Sequence, residues 1–236
     1  MTEFGPREYG TFPPGSGERG CSTMNQVMSV RDVPWWGSAS SAVPPVVLAA
    51  GWTVAAFLQT RPYDPVTDTV SALAGTGATD RWVMTLAFAL AGGCEMVTAL
   101  ALRSAGAAGR LILMAGGAAG ILVAGSPVHL GDGAPASHIL WAVFGLGALA
   151  VWPAAASHHD PAVPWALRPE VAVPVTVLLV VLLAWFGLEL LTSAGQAGLA
   201  ERALGEAQAA WPFAVVMSCR HPARATSRRR ACPRAG

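Results

Sequence analysis

The sequence predicts an all-α integral membrane protein, a bundle of six transmembrane helices with both termini cytoplasmic. Three observations lead there. Hydrophobic residues make up 53% of the 236 residues and charged residues 12%, about half the charged share of a soluble globular chain, and mean hydropathy is +0.46. Six apolar runs approach the roughly 20 residues that a helix needs to cross about 30 Å of hydrocarbon. All 15 basic residues are arginine, and most fall on one side of the topology that those runs imply.

Residues 1–33 are rich in Gly, Pro, Ser and Glu and show no apolar period, which predicts a disordered N-terminal segment. They lack the apolar core and cleavage site of a signal peptide, and Met24 or Met28 offers an alternative start. The membrane domain is expected over 34–219. Its helices are expected at about 39–60, 82–102, 110–126, 138–156, 171–192 and 203–219. Trp35 and Trp36 stand before the first as interface anchors, and Pro44 and Pro45 are placed in its first turns, where a missing N–H does least harm. The sixth run starts with Glu201, Arg202 and Glu206 and contains Pro212; an interfacial amphipathic helix is its alternative. Residues 220–236 form an arginine-rich tail, expected to be disordered and drawn to anionic lipid headgroups.

Six spans put Arg61, Arg81 and Arg202 on one side and the other twelve arginines on the opposite side. The arginine-rich side is the cytoplasmic one, so the loop from Arg61 to Trp82 faces outward. Gly116 and Gly120 form a GxxxG pair, and Gly92, Gly93, Gly145 and Gly147 add small faces. They are expected to serve packing within the bundle, because small residues let helices approach closely where lipid supplies no hydrophobic drive. Cys21, Cys94, Cys219 and Cys232 are isolated, with no metal or redox spacing.

Ionisable groups inside the spans are costly and therefore informative. Glu95 lies deep in the second helix and Glu189 near the outer end of the fifth, about 15 Å apart in depth and so not a direct pair. Glu189 is expected to pair with Arg202, Arg81 or Arg61. In the first outer loop Asp68 reads as the N-cap of a short helix stopped by Gly75, and Thr79 or Asp80 as the cap of the second span. Asp64 is explained by neither cap. A weaker alternative gathers Asp64, Asp68, Asp80, Glu189, His129 and His138 on one outer rim, where they would bind a metal or perform acid/base work on a headgroup. His158 and His159 fall on the cytoplasmic side and do not join that rim. No catalytic residue, cofactor site, phosphate loop or nucleic-acid motif is recognised.

The stretch YDPVTDTVSALAGTGATDRWVMTLAF carries a family likeness. Its polar loop with Ser71-Ala72-Leu73, followed by Arg81-Trp82 and the second helix, resembles the bacterial membrane proteins gathered as domain of unknown function 998. The likeness runs through GLAERALGEAQAAWPFAVVMS, covering about residues 40–219. It implies a six-helix bundle in the bacterial cytoplasmic membrane with no established activity, and it carries over no catalytic residue. The expected function is an uncharacterised multi-pass protein that binds lipid or a partner in the bilayer. One alternative is a small transporter with Glu95 as its coupling carboxylate; the other is a membrane hydrolase or transferase with an outward carboxylate/histidine site.

Overall fold

A computed structural model describes residues 33–129, 131, 133–160 and 163–220. The expectations for the N-terminal segment up to residue 32 and for the arginine-rich tail beyond 220 lie outside these residues. Six long helices make the domain: α1 (Trp35–Phe57), α3 (Trp82–Ala101), α4 (Gly106–Ala124), α5 (Ala136–Ala155), α6 (Pro169–Thr192) and α7 (Ala197–Arg220). A one-turn helix, α2 (Val70–Leu73), sits in the first loop, and 3-10 turns at Arg103–Ala105 and Trp165–Leu167 lead into α4 and α6. No strand occurs among the described residues; Thr76, His129 and Gly133 make only isolated bridges.

Each long helix packs on the next, and α7 packs on both α6 and α1, closing a ring in chain order. Short connections make consecutive helices antiparallel, so the 58–81 loop and the starts of α3, α5 and α7 share one end. That end is called the rim below. Five helices are long and apolar enough to cross a membrane: α1, α3, Arg103–Ala124, α5 and α6. Their outward side chains include Val46, Leu86, Leu111, Val143, Val177 and Leu191, all exposed, a surface suited to lipid rather than water. The sixth, α7, has 24 residues, about 36 Å of helix, but Glu201, Arg202, Glu206 and Gln208 lower its apolarity.

The expected bounds shift at several ends. α1 begins at Trp35 behind Pro34 and stops at Phe57. Pro44 and Pro45 therefore lie in its third turn, not its first, and free the carbonyls of Ser40 and Ser41 from helical bonding. α7 starts at Ala197, six residues earlier than expected, and so carries Glu201 and Arg202 inside the helix. An apolar scan stops where charge begins, whereas backbone hydrogen bonding continues wherever side chains find partners.

The glycine expectation holds at some positions and fails at others. At the α3–α4 seam Gly92 faces Gly117 so closely that a Cβ on either would strike the other's carbonyl oxygen. Gly116 takes Leu149 of α5 against its backbone, Gly145 takes Ala119 of α4, and Gly120 lies over Gly92. Gly93 and Gly147 meet nothing within 4 Å, so they are not packing faces within the ring. Spacing in the sequence could not tell these apart, because it does not say which side of a helix faces a neighbour. Gly92→Val is expected to cost about 1–3 kcal/mol through overpacking, while Gly147→Ala costs nothing. Thermal unfolding of the two variants in detergent checks this, and equal stability would contradict the seam.

Candidate functional site

The rim is organised by two adjacent residues of α7. The Glu201 carboxylate accepts the backbone N–H of Val70 (2.6 Å) and of Ser71 (3.3 Å), and the Ser71 hydroxyl (2.7 Å). These amides open α2, where unpaired N–H groups and the helix dipole favour a negative charge. Glu201 thus caps a helix 130 residues away in the chain. Arg202 works on the segment before it. Its guanidinium donates to the carbonyls of Pro65 (2.7 Å), Asp68 (3.3 Å) and Gly198 (2.9 Å), and to the Tyr63 hydroxyl. It also lies 5.8 Å from the Trp52 ring centre and 5.7 Å from that of Tyr63, within cation–π range.

Close backbone approach completes the contact. Leu199 N–H donates to Val66 O (3.0 Å), and Gly198 has no room for a Cβ beneath the carbonyls of Asp68 and Pro65. Val70 and Leu73 are buried against Met84, Ala87 and Ala209, each contributing about 1.5–3 kcal/mol at this water-facing end. The Tyr63 hydroxyl donates to the carbonyls of Asp68 (3.1 Å) and Thr69 (3.2 Å). Burial pushes its phenol above the usual range, against the lowering effect of Arg202, so the O–H is retained through neutral pH.

The aspartates have other duties than those expected. The N-cap of α2 is Thr69, whose Oγ1 accepts from Ala72 N–H. Asp68 instead accepts the N–H of Asp64 (2.9 Å), and Asp64 accepts that of Val66 (2.8 Å), so the two hold a local turn. Gly75 follows α2 without a left-handed φ; that conformation falls on Gly77. No side chain caps α3. Asp80 has φ 49° and accepts the Trp82 indole N–H, while Thr79 bonds Thr60 and Gln59 at the end of α1. Competition between neighbouring Asp and Thr residues for the same amides is not decided by spacing.

Glu189 pairs with none of Arg202, Arg81 and Arg61 among the described residues. It accepts the Trp185 indole N–H (3.2 Å) and the Gln196 backbone N–H (2.9 Å) that precedes α7. The first and third loops do meet at the rim, through Thr76 N–H on Val128 O (2.8 Å). His129 takes part through its backbone, and the His138 ring is buried on Ser126 O (2.7 Å). Among the described residues no three His, Cys, Asp or Glu side chains stand close enough to hold a metal ion. His129 and His138 therefore form no such group with the rim carboxylates among the described residues; Asp132, between them in the sequence, lies outside the described residues.

Inside the ring Glu95 is 5% exposed, with its Cβ against Gly117 of α4. Its carboxylate accepts no hydrogen bond from the described residues. One turn on, the buried Thr98 hydroxyl meets that of Ser40 on α1 (2.9 Å). Gln208 of α7, also buried, donates to Leu146 O of α5 (2.8 Å). Tyr63, Trp52, Ser40, Thr98 and Gln208 are not singled out by the sequence. Glu201 and Arg202 enter it as charges at the start of the sixth run, and Arg202 also as a partner expected for Glu189, but neither as a clamp on the first loop.

A family model described as "Protein of unknown function (DUF998)" matches residues 42–218. No curated protein and no solved structure matches the chain. The clamp generates a direct test. Glu201→Ala strands two amides of α2, at about 1–3 kcal/mol, and frees the 58–81 loop without unfolding the ring. Limited proteolysis in detergent is expected to cut that loop in the variant and spare it in the parent. Equal resistance would remove the clamp's role.

Proposed function

The chain belongs to the DUF998 family of proteins of unknown function, and from that premise we propose a six-span, lipid-binding component of the bacterial cytoplasmic membrane. Both termini are cytoplasmic and the clamped rim faces outward. The arginine distribution supports the orientation. The sixth span is supported by α7 lying along α1 and α6 and by its strongest charges being engaged at the rim.

The observation that carries the lipid reading is a groove of about 240 Å³ between α1 and α3, lined by residues including Val47, Ala50, Val54, Val83, Leu86 and Leu90. It lies in the rim half of the ring, since the α3 residues begin next to Trp82. Its walls are aliphatic, so a polar substrate finds no donor there. An acyl chain leaving bulk lipid gains no hydrophobic free energy, so the groove selects by shape and dispersion contact. Above it the loop is fixed, which makes the rim a preformed surface for a headgroup rather than a moving lid.

The hydrolase alternative finds less to stand on. Ser71, Asp64, Asp68, Asp80 and Glu189 are each engaged in hydrogen bonds that shape the loops. Ala50→Phe fills the groove from its exposed side. Native mass spectrometry from mild detergent is expected to find acyl lipid retained by the parent and lost from the variant. An unchanged lipid complement would refute the groove as a binding site.

A further inference from the structure

Helix α7 turns one carboxyl outward, away from the ring. Its inner face buries Leu204, Gln208, Val215 and Cys219. On the opposite side Leu199, Ala210 and Phe213 are exposed, and Ala203, Glu206 and Met217 are partly so. At about 100° per residue these six fall within roughly 40° of one line along the helix. Glu206 stands nine residues beyond Ala197, about 14 Å along the axis, near the middle of a hydrocarbon core about 30 Å thick.

An ionisable side chain at that depth ordinarily faces a bundle interior and finds a polar partner there. Glu206 does neither. Its Oε1 is shielded by the chain's own atoms without a hydrogen bond, and no bond or ion pair reaches the carboxyl among the described residues. Arg202 and Arg220, the cations of α7, are held at its two ends by the first loop and by Ser38. The flanking α1 and α6 carry no cation. Lipid headgroups lie outside the hydrocarbon, so they do not reach this depth. The missing partner comes from another chain.

Spacing says which chain fits. From Leu199 the six outward residues follow at intervals of four, three, four, three and four. This is the 3.5-residue repeat of a left-handed helix pair, sustained over about 27 Å. A single polar residue in such a seam sets register and strand number, and Glu206 takes that place. Ala203 and Ala210, one turn to either side, are small enough to let two backbones come close. A neutral carboxyl has one O–H to donate and an oxygen to accept, so it is complementary to its own copy. Two copies in one membrane share a topology and are related by an axis along the membrane normal. Their α7 helices then run parallel, and Glu206 meets Glu206 at equal depth.

We propose that the outward face of α7 is a dimer interface, on which a second copy of this chain seats its own α7 and pairs the two Glu206 carboxyls. Each O–H donates to the carbonyl oxygen of the other, so both groups are satisfied and no charge stands in hydrocarbon. The interface rests on α7 crossing the bilayer. It is independent of the groove between α1 and α3, which opens on another side of the ring.

The full chain, with its native cysteines replaced, carries the test in membranes of the producing cell. Oxidation is expected to join Ala210→Cys into a disulfide dimer and to leave Val143→Cys, exposed on α5, as a monomer. Energy transfer between labelled copies diluted into lipid vesicles then reads the part played by Glu206. Glu206→Gln keeps a donor and an acceptor and should keep the parent's dissociation constant. Glu206→Met keeps only the length and should raise that constant about tenfold, equal to about 1.4 kcal/mol. If Glu206→Met does not accumulate, the two cysteine positions decide alone. Equal linking at Ala210→Cys and Val143→Cys, a monomer at every protein-to-lipid ratio, or unchanged dissociation of Glu206→Met overturns the proposal. Labelling the two ends of α7 from opposite faces of the membrane separates failure of the dimer from failure of the span.

Discussion

Much of the architecture rests on the reach of Glu201 and Arg202 from the start of α7 to the first loop. A one-turn helix such as α2 has little stability of its own, because its nucleus costs more than one hydrogen bond returns. Glu201 supplies the missing acceptors and Arg202 ties down the preceding carbonyls. The same contacts join the first loop to α7, which packs directly along α1 and α6 to close the ring. They also dispose of the two charges that make α7 the least apolar of the long helices. One Glu-Arg dipeptide therefore orders the loop and ties it to the start of α7.

Along the rest of the ring, polar groups are handled by short local exchanges. Ser and Thr hydroxyls return to carbonyls three or four residues back, as at Ser41, Thr53 and Thr192. Gln208 crosses to α5, and Arg110 closes carbonyls at the end of α3. Helix contact is then set by how near backbones can come, which the Gly92–Gly117 seam maximises. The buried indole N–H groups of Trp152 and Trp211 and the buried Oε1 of Glu206 depart from this pattern, with no partner among the described residues, and the buried Glu95 carboxylate accepts no hydrogen bond there either.

The helix count and most helix bounds were legible because apolar length is a property of contiguous residues. The family was legible for the same reason, being carried by the first loop and the run from Gly198 to Ser218. What escaped was contact between distant segments. Nothing in the spacing of Ser71 and Glu201, 130 residues apart, announces a cap. The aspartates were assigned to the nearest helix starts by rule, but Thr69 won the amide of Ala72 and Asp68 turned back to Asp64. The prolines of α1 were misplaced because the helix reaches back to Trp35, beyond the apolar run.

The central claim is that α7 crosses the bilayer in spite of its charges, because they are engaged at one end. Single cysteines at Gln196 and Arg220, in a background with the native cysteines replaced, test it most directly. In sealed vesicles a membrane-impermeant thiol reagent should label one from outside only and the other only after permeabilisation. Labelling of both from the same side would mean that α7 does not cross, and would contradict the ring as a six-span unit.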